Sequence, residues 1–288
     1  MAERVVGAPV VAFLRMIKVE HSIFALPFAM VGMMYAADGF PGWRTFGLIL
    51  LAMVSARSAA MAFNRLVDQP LDALNPRTAK RELVTGVISR SKAWTFFGVS
   101  VLLFLLAAAL LNRLTLLLAP VALLVLLGYS YTKRFTSLCH LFVGLSLGIA
   151  PVGAWVAVRG TLEVAPFWWL AAVTLWTAGF DILYALQDEE FDRTHGVHSL
   201  VVRLGRARAI AVSRLFHMVA VLCLAWAGAK VGAGIPYGLG VFFVLGLLMV
   251  EQSLVAPDDL SRINAAFFTL NGWVSVGFFL FCLVDVAL

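Results

Sequence analysis

Charge is scarce in this chain. Asp, Glu, Lys and Arg make up 13% of its 288 residues, against about a quarter in an ordinary globular domain. A soluble fold of this length would need a charged surface to cover its core, and there are too few charges here for one. Cysteine is scarce too. Cys139, Cys223 and Cys282 lie far apart and form no C-x-x-C pair, which excludes a disulfide framework or a cysteine-rich zinc site and leaves them as small apolar residues in helices. The histidines, His21, His140, His195, His198 and His217, show no metal-binding spacing and read as polar loop residues. There is no low-complexity stretch and no soluble second domain, so residues 1–288 read as one domain. Residues 1–22 carry Glu3, Arg4, Arg15, Lys18 and Glu20 and lack a short apolar core with a cleavage site, so no cleavable signal peptide is expected. They suit an interfacial amphipathic helix instead, with Val10, Val11, Leu14, Ile17 and Val19 as its apolar positions.

What the chain has in abundance is apolar sequence. Hydrophobic residues make up 62% of it, and the mean hydropathy is +0.94. The bilayer is therefore the solvent for most of its surface. About nine stretches are long enough to cross or nearly cross a membrane, at 23–37, 45–63, 94–111, 115–131, 138–158, 165–185, 210–228, 233–250 and 264–286. The expected fold class is all-α, a polytopic bundle of about nine transmembrane helices.

Charge orients this bundle. With the N-terminus placed inside, 17 of the 22 Lys and Arg fall in inside segments, four (Arg44, Arg113, Arg159, Lys230) fall outside, and Arg57 lies within the second span. That asymmetry predicts an odd number of spans with a cytoplasmic N-terminus. It also accounts for the net charge of +6 without nucleic acid as a partner. The inside connections at 64–93 and 186–209 are the long ones, and long polar loops on one side of a bundle are natural places for function.

Both carry acidic patterns. Asn64, Asp68 and Asp72 are spaced i, i+4, i+8, which stacks them on one helix face. Pro70, between the carboxylates, is expected to distort or end the helix there. Asp181, Tyr184, Asp188 and Asp192 share a second face, and Asp188 and Asp192 each follow their counterparts Asp68 and Asp72 by 120 residues. Asp-x-x-x-Asp thus recurs at the same end of two helices. Stacked carboxylates at a membrane helix end are costly unless they meet water, cations or partners. Hard carboxylate oxygens suit Mg²⁺, which takes one or two of them together with waters and substrate phosphates. Arg57, Arg65, Arg77, Lys80, Arg81, Lys133 and Arg134 stand nearby to neutralise a diphosphate. The active site is thereby expected near the cytoplasmic face.

These motifs resemble the UbiA-type intramembrane prenyltransferases. Asn64-x-x-x-Asp68-x-x-x-Asp72 is similar to that family's first Asp-rich motif, and Asp188-x-x-x-Asp192, preceded by Asp181 and Tyr184, to its second. Asn75-Pro-Arg77-Thr, Leu83-Val-Thr-Gly86, Tyr129-Ser-Tyr-Thr-Lys133-Arg134, Gly196-Val-His-Ser199 and Arg203-Leu-Gly205 also look family-typical. The resemblance covers nearly the whole chain. It implies an all-α bundle of about nine transmembrane helices around a central cavity, and transfer of a polyprenyl group from polyprenyl diphosphate to an acceptor. Asp68, Asp72, Asp188 and Asp192 would hold Mg²⁺. Asn64, Tyr129, Lys133, Tyr184 and Arg77 would serve the diphosphate, Arg57 would meet the acceptor, and Asp181 would sit near the reacting centre, steering the cation or accepting a proton.

Within the family the chain looks most like the enzymes that prenylate 4-hydroxybenzoate for quinone synthesis. Those acting on dihydroxynaphthoate in the menaquinone pathway are similar, and Arg57-Ser-Ala-Ala-Met-Ala-Phe-Asn64 fits both. The pair Glu189-Glu190 makes the second motif more acidic than the spacing requires. A secondary transporter would also show intramembrane charge and internal repeats, but its site would lie near the midplane rather than at the inner helix ends. The Asp-Gly-x-x-Ala-Arg run of phospholipid head-group transferases is absent. No obligate protein partner is implied. Glu251, Asp258 and Asp259 read as a solvated turn, Asp285 as an interfacial residue, and Gly144 with Gly148 as a helix-packing pair.

Overall fold

The computed structural model describes residues 8–18 and 22–288. Val19 and His21, read above as an apolar helix position and a loop histidine, lie outside the described residues, as do Glu3 and Arg4. Every regular element among the described residues is helical. In chain order these are α1 (Ala8–Met16), α2 (Ser22–Ala37), α3 (Trp43–Leu74), α4 (Arg90–Leu111), α5 (Arg113–Thr132), α6 (Cys139–Arg159), α7 (Ala165–Ala185), α8 (Glu189–Thr194), α9 (Leu200–Leu204), α10 (Arg206–Val231), α11 (Ile235–Ser253) and α12 (Asn271–Ala287). Eight helices among the described residues are long and apolar enough to cross a bilayer, and α2 is a shorter apolar one. The chain is a multi-pass helical membrane protein.

The helices form a ring. α3 packs on α5, α5 on α6, α6 on α7, α7 on α10, α10 on α11, α11 on α12 and α12 on α2, while α2 also packs on α6 and α4 lies against α3 and α5. α7 is the most buried span and α5 the least. Leu102, Leu117, Leu124, Leu222, Phe242 and Met249 point outward, as expected where lipid replaces water. The α6–α7 seam depends on small residues: a Cβ at Gly144 would strike the Thr174 carbonyl, and one at Gly148 the Thr174 hydroxyl and Leu170 carbonyl. This bears out the packing role expected of the pair.

Two local features position the functional end. α3 has 32 residues, about 48 Å of helix, against about 30 Å of hydrocarbon. Its excess length carries the first acidic motif beyond the apolar stretch. The helix does not end at Pro70 but runs through it to Leu74. Pro70 sits on the exposed face while Asp68 and Asp72 are buried on the other, so the lost backbone donor falls outside the packed seam. At the opposite end, Asn112 accepts from Thr115 N and donates to the Val156 and Ala157 carbonyls, and Gly160 closes α6 at φ +68°.

Asp285, expected at the interface, is also held by the chain: it accepts from the Gly234 and Tyr237 amides at the start of α11, and from the Tyr35 hydroxyl at 2.6 Å. Other polar residues sit elsewhere than expected. Glu251 is not in a solvated turn. It is fully buried and accepts from Asn271, whose amide oxygen accepts the Trp176 indole N–H at 2.6 Å. Asp258 and Asp259 do lie in an exposed turn. His140 and His217 are buried within α6 and α10 rather than set in loops. α1 is helical as expected, with Val11 and Leu14 exposed and Ile17, just beyond it, buried.

Candidate active site

The chain reversal after α3 folds its basic residues back over the acids of the same helix. Thr78 Oγ1 donates to the Asp72 carbonyl at 3.0 Å, and Gln69 Nε2 to the Leu83 carbonyl at 3.0 Å. This anchors the loop so that Arg81 Nη1 reaches both oxygens of Asp72 at 2.6 Å. Asp68, buried to 2% exposure, accepts from Asn64 Nδ2 at 2.9 Å, from Lys133 Nζ at 2.6 Å and from Arg134 Nη2 at 3.1 Å. Both of those cations come from the end of α5, where a helix C-terminus favours positive charge.

The second motif meets the same loop. Arg77 grips both oxygens of Asp188, and Asn75 Nδ2 adds a bond at 3.1 Å. The Arg77 guanidinium also lies 5.3 Å from the Tyr184 ring centre and donates to its hydroxyl at 3.3 Å. Burial disfavours the Arg77 charge, but the Asp188 hydrogen bond and carboxylate charge outweigh it, and its pKa moves up. Residues 75 to 81 thus join the two acidic motifs.

The second motif is not one straight face. α7 ends at Ala185, a 3-10 turn spans Leu186–Asp188, and α8 restarts at Glu189. Asp181 and Asp188 line the main cavity, whereas Asp192 lines a neighbouring pocket with His198 and Arg203. Of the two extra acids, Glu189 is bound to Arg193 and Arg206.

The main cavity has a volume of about 660 Å³ and runs between α2, α3, α5, α6 and α7. Arg77, Arg81 and Asp188 stand at its polar end, Arg57, Tyr129, Asp181 and Tyr184 along its wall, and Leu111, Leu162 and Phe167 at its far end. A charged head and a long apolar body define the ligand such a space accepts.

Sequence reasoning passed over two contributors. Asn75 was visible only as part of a loop pattern. His140 gave no signal, because its partner Asp181 lies 41 residues away; their Nδ1 and Oδ2 atoms are 2.7 Å apart.

The acids present hard oxygens only. Their cationic partners have side chains between 22% and 34% exposed, so these heads can turn to a phosphate and free the carboxylates. Among the described residues no three His, Cys, Asp or Glu converge on one point. This donor set fits Mg²⁺ completed by phosphates and water rather than an all-protein cage.

Fold and site together define a membrane-embedded bundle with a cation-bridged acidic site at the head of an apolar cavity. Residues 25–276 match the UbiA prenyltransferase family, and the chain belongs to it. It is an enzyme of the prenyltransferase class. It is 28% identical over 256 residues to a 4-hydroxybenzoate octaprenyltransferase of Shewanella halifaxensis, covering 89% of this chain and 88% of that protein. An apo structure of a UbiA homologue from Aeropyrum pernix superposes with a TM-score of 0.84 at 35% identity, covering 92% of this chain and 98% of that one. A homologue from Archaeoglobus fulgidus, solved bound to GPP and Mg²⁺, shares the fold at TM-score 0.75 and 22% identity, over 96% and 100% of the two chains.

Proposed function

We propose that this chain, as one domain over residues 1–288, transfers a polyprenyl group from polyprenyl diphosphate to the aromatic acid 4-hydroxybenzoate in quinone biosynthesis. The carrying observation is the set of Arg and Lys heads held against Asp68, Asp72 and Asp188, of which Arg77, Arg81 and Asp188 line the polar end of an apolar cavity. The enzymes named for 4-hydroxybenzoate among its relatives support the acceptor. The crowding of Lys and Arg in the segments at the motif end supports a cytoplasmic N-terminus and an active site facing the cytoplasm; the cell inner membrane is the proposed location.

Asp68, Asp72 and Asp188 would hold Mg²⁺ together with Asp192, which lines the neighbouring pocket but lies close enough to Asp188 for their charges to interact. Bound Mg²⁺ stabilises the negative charge that gathers on a departing diphosphate. Lys133, Arg134, Arg81 and Arg77 release the carboxylates and turn to the phosphate oxygens, with Asn64 and Tyr129 completing that end. Charge on the diphosphate is thereby met by fixed donors as the allylic C–O bond breaks. Tyr184, packed on Phe267 with ring centres 4.1 Å apart, presents a π face beside Asp188, suited to an electron-poor allylic carbon. Arg57 binds the acceptor carboxylate through its two-pronged guanidinium, and the hydroxyl-activated ring attacks ortho to its oxygen. The apolar wall keeps water from the cationic carbon and houses the isoprenoid tail.

The test is an assay of the purified, Mg²⁺-supplied protein. It pairs prenyl diphosphates of several lengths with 4-hydroxybenzoate, dihydroxynaphthoate and a non-aromatic alcohol. The expected product is ring-prenylated 4-hydroxybenzoate. Transfer to dihydroxynaphthoate alone, or to the alcohol alone, would overturn the acceptor assignment.

A further inference from the structure

His140 is the second residue of α6 and is buried. Its Nε2 accepts the backbone N–H of Leu200 at 3.3 Å. An amide N–H can only donate, so Nε2 carries the ring's lone pair. The proton therefore sits on Nδ1 and is donated to Asp181 Oδ2 at 2.7 Å. The Leu200 amide is itself fixed. Leu200 is buried at the first turn of α9, and that turn is capped by Ser199, which accepts from Val202 N at 3.2 Å. The loop before it is tied to α5 by the His198 amide on the Lys133 carbonyl at 2.8 Å.

Asp181 faces the other way. Its side chain is 27% exposed and lines the main cavity, and Oδ1 makes no hydrogen bond among the described residues. One carboxylate oxygen is thus held by a buried, oriented N–H while the other is left toward the cavity. A capped backbone amide, an imidazole and a carboxylate in series have the form of a general base held at a set angle.

We propose that His140 is the positioning residue for Asp181, and that it holds Oδ1 where it takes the acceptor's ring proton. This rests on the prenyl-transfer reading above. As the ring carbon bonds to the allylic carbon, the C–O bond to diphosphate breaks and its electron pair leaves with the diphosphate. The substituted ring carbon then bears both the prenyl group and a hydrogen, and the ring is cationic. Breaking that C–H bond returns its pair to the ring, and the proton passes to Asp181 Oδ1. His140 keeps its own proton throughout, and Asp181 later yields the acquired one to water. Without the Nδ1–H the carboxylate is free to rotate, and proton removal becomes the slow step.

The experiment compares wild type, His140→Ala and His140→Asn with 4-hydroxybenzoate carrying hydrogen or deuterium at the ring positions ortho to the hydroxyl. Wild type is expected to show an isotope effect near 1. His140→Ala should lower kcat by about ten- to a hundredfold and raise the isotope effect above about 2, with the KM for prenyl diphosphate held within about twofold. His140→Asn, whose amide N–H can stand in for Nδ1–H, should recover rate and lose the isotope effect. If His140→Ala fails to fold in detergent, His140→Asn against His140→Leu carries the same comparison. Wild-type turnover in the Ala variant, or a rate loss with no isotope effect and no recovery in the Asn variant, would overturn the positioning role while leaving prenyl transfer standing. Wild type transferring to no aromatic acid would instead remove the prenyl-transfer reading, and the positioning role with it.

Discussion

Lys133 Nζ lies 2.6 Å from Asp68 Oδ2, and that carboxylate is its only hydrogen-bond partner among the described residues. Its neighbour Arg134 does more: besides Asp68 it donates to the Ser130 carbonyl at 2.7 Å and the Val67 carbonyl at 3.0 Å. Two adjacent cations thus share one acid but differ in what else they hold. Under the proposed function Lys133 is held ready for a phosphate, whereas Arg134 also ties the end of α5 to α3.

The two residues should therefore separate under mutation. Lys133→Met should lower kcat by about a hundred- to a thousandfold, the range for removing one preorganised donor from developing negative charge, with an unchanged unfolding temperature in detergent. Arg134→Met should lower the unfolding temperature as well, because two backbone carbonyls lose their partner. Equal stability loss in both variants would refute this division.

Arg57 is assigned to the acceptor, and kinetics can isolate that. Arg57→Met should raise the KM for 4-hydroxybenzoate by about ten- to a hundredfold, the usual worth of hydrogen bonds to a charged group. The KM for prenyl diphosphate should stay within about twofold. A matching rise in both constants would place Arg57 at the diphosphate instead.

The buried chain from Trp176 through Asn271 to Glu251 predicts an asymmetry in stability. Glu251→Gln keeps an oxygen for Asn271 and removes an acid from an apolar setting, so it should leave thermal unfolding unchanged or raised. Asn271→Leu strands the Trp176 N–H and the Glu251 carboxyl together, and should cost about 2–5 kcal/mol for two unsatisfied buried groups. Unfolding of both variants in detergent, followed by tryptophan fluorescence, decides the point.

Much of this molecule is legible in its sequence because the bilayer constrains it so strongly. Apolar runs had to be helices. The recurrence of Asp-x-x-x-Asp placed both acidic motifs at one end of the bundle. Local helix geometry was less legible. Pro70 leaves α3 intact because it falls on the exposed face, and the 3-10 turn at Leu186–Asp188 sends Asp192 to a different pocket from Asp188. Neither outcome follows from residue spacing. Pairings across long separations were not legible at all. His140 with Asp181, Asn271 with Glu251, and Asp285 with the start of α11 depend on which helices meet, and His140 and Glu251 read alone as solvated polar residues.

Asp68→Asn tests the central claim most directly. Asp68 is buried, but Lys133 and Arg134 are about a third exposed and can turn to water, so the variant should fold with little loss of stability. Formation of prenylated 4-hydroxybenzoate should then be followed in wild type and Asp68→Asn, each with Mg²⁺ and with EDTA. Transfer is expected in wild type only with Mg²⁺, restored when Mg²⁺ is added back after EDTA, and lowered about a thousandfold or more in Asp68→Asn. Asp68→Asn turnover near wild type, or wild-type turnover undiminished in EDTA, would contradict a magnesium-diphosphate site built on the paired acidic motifs.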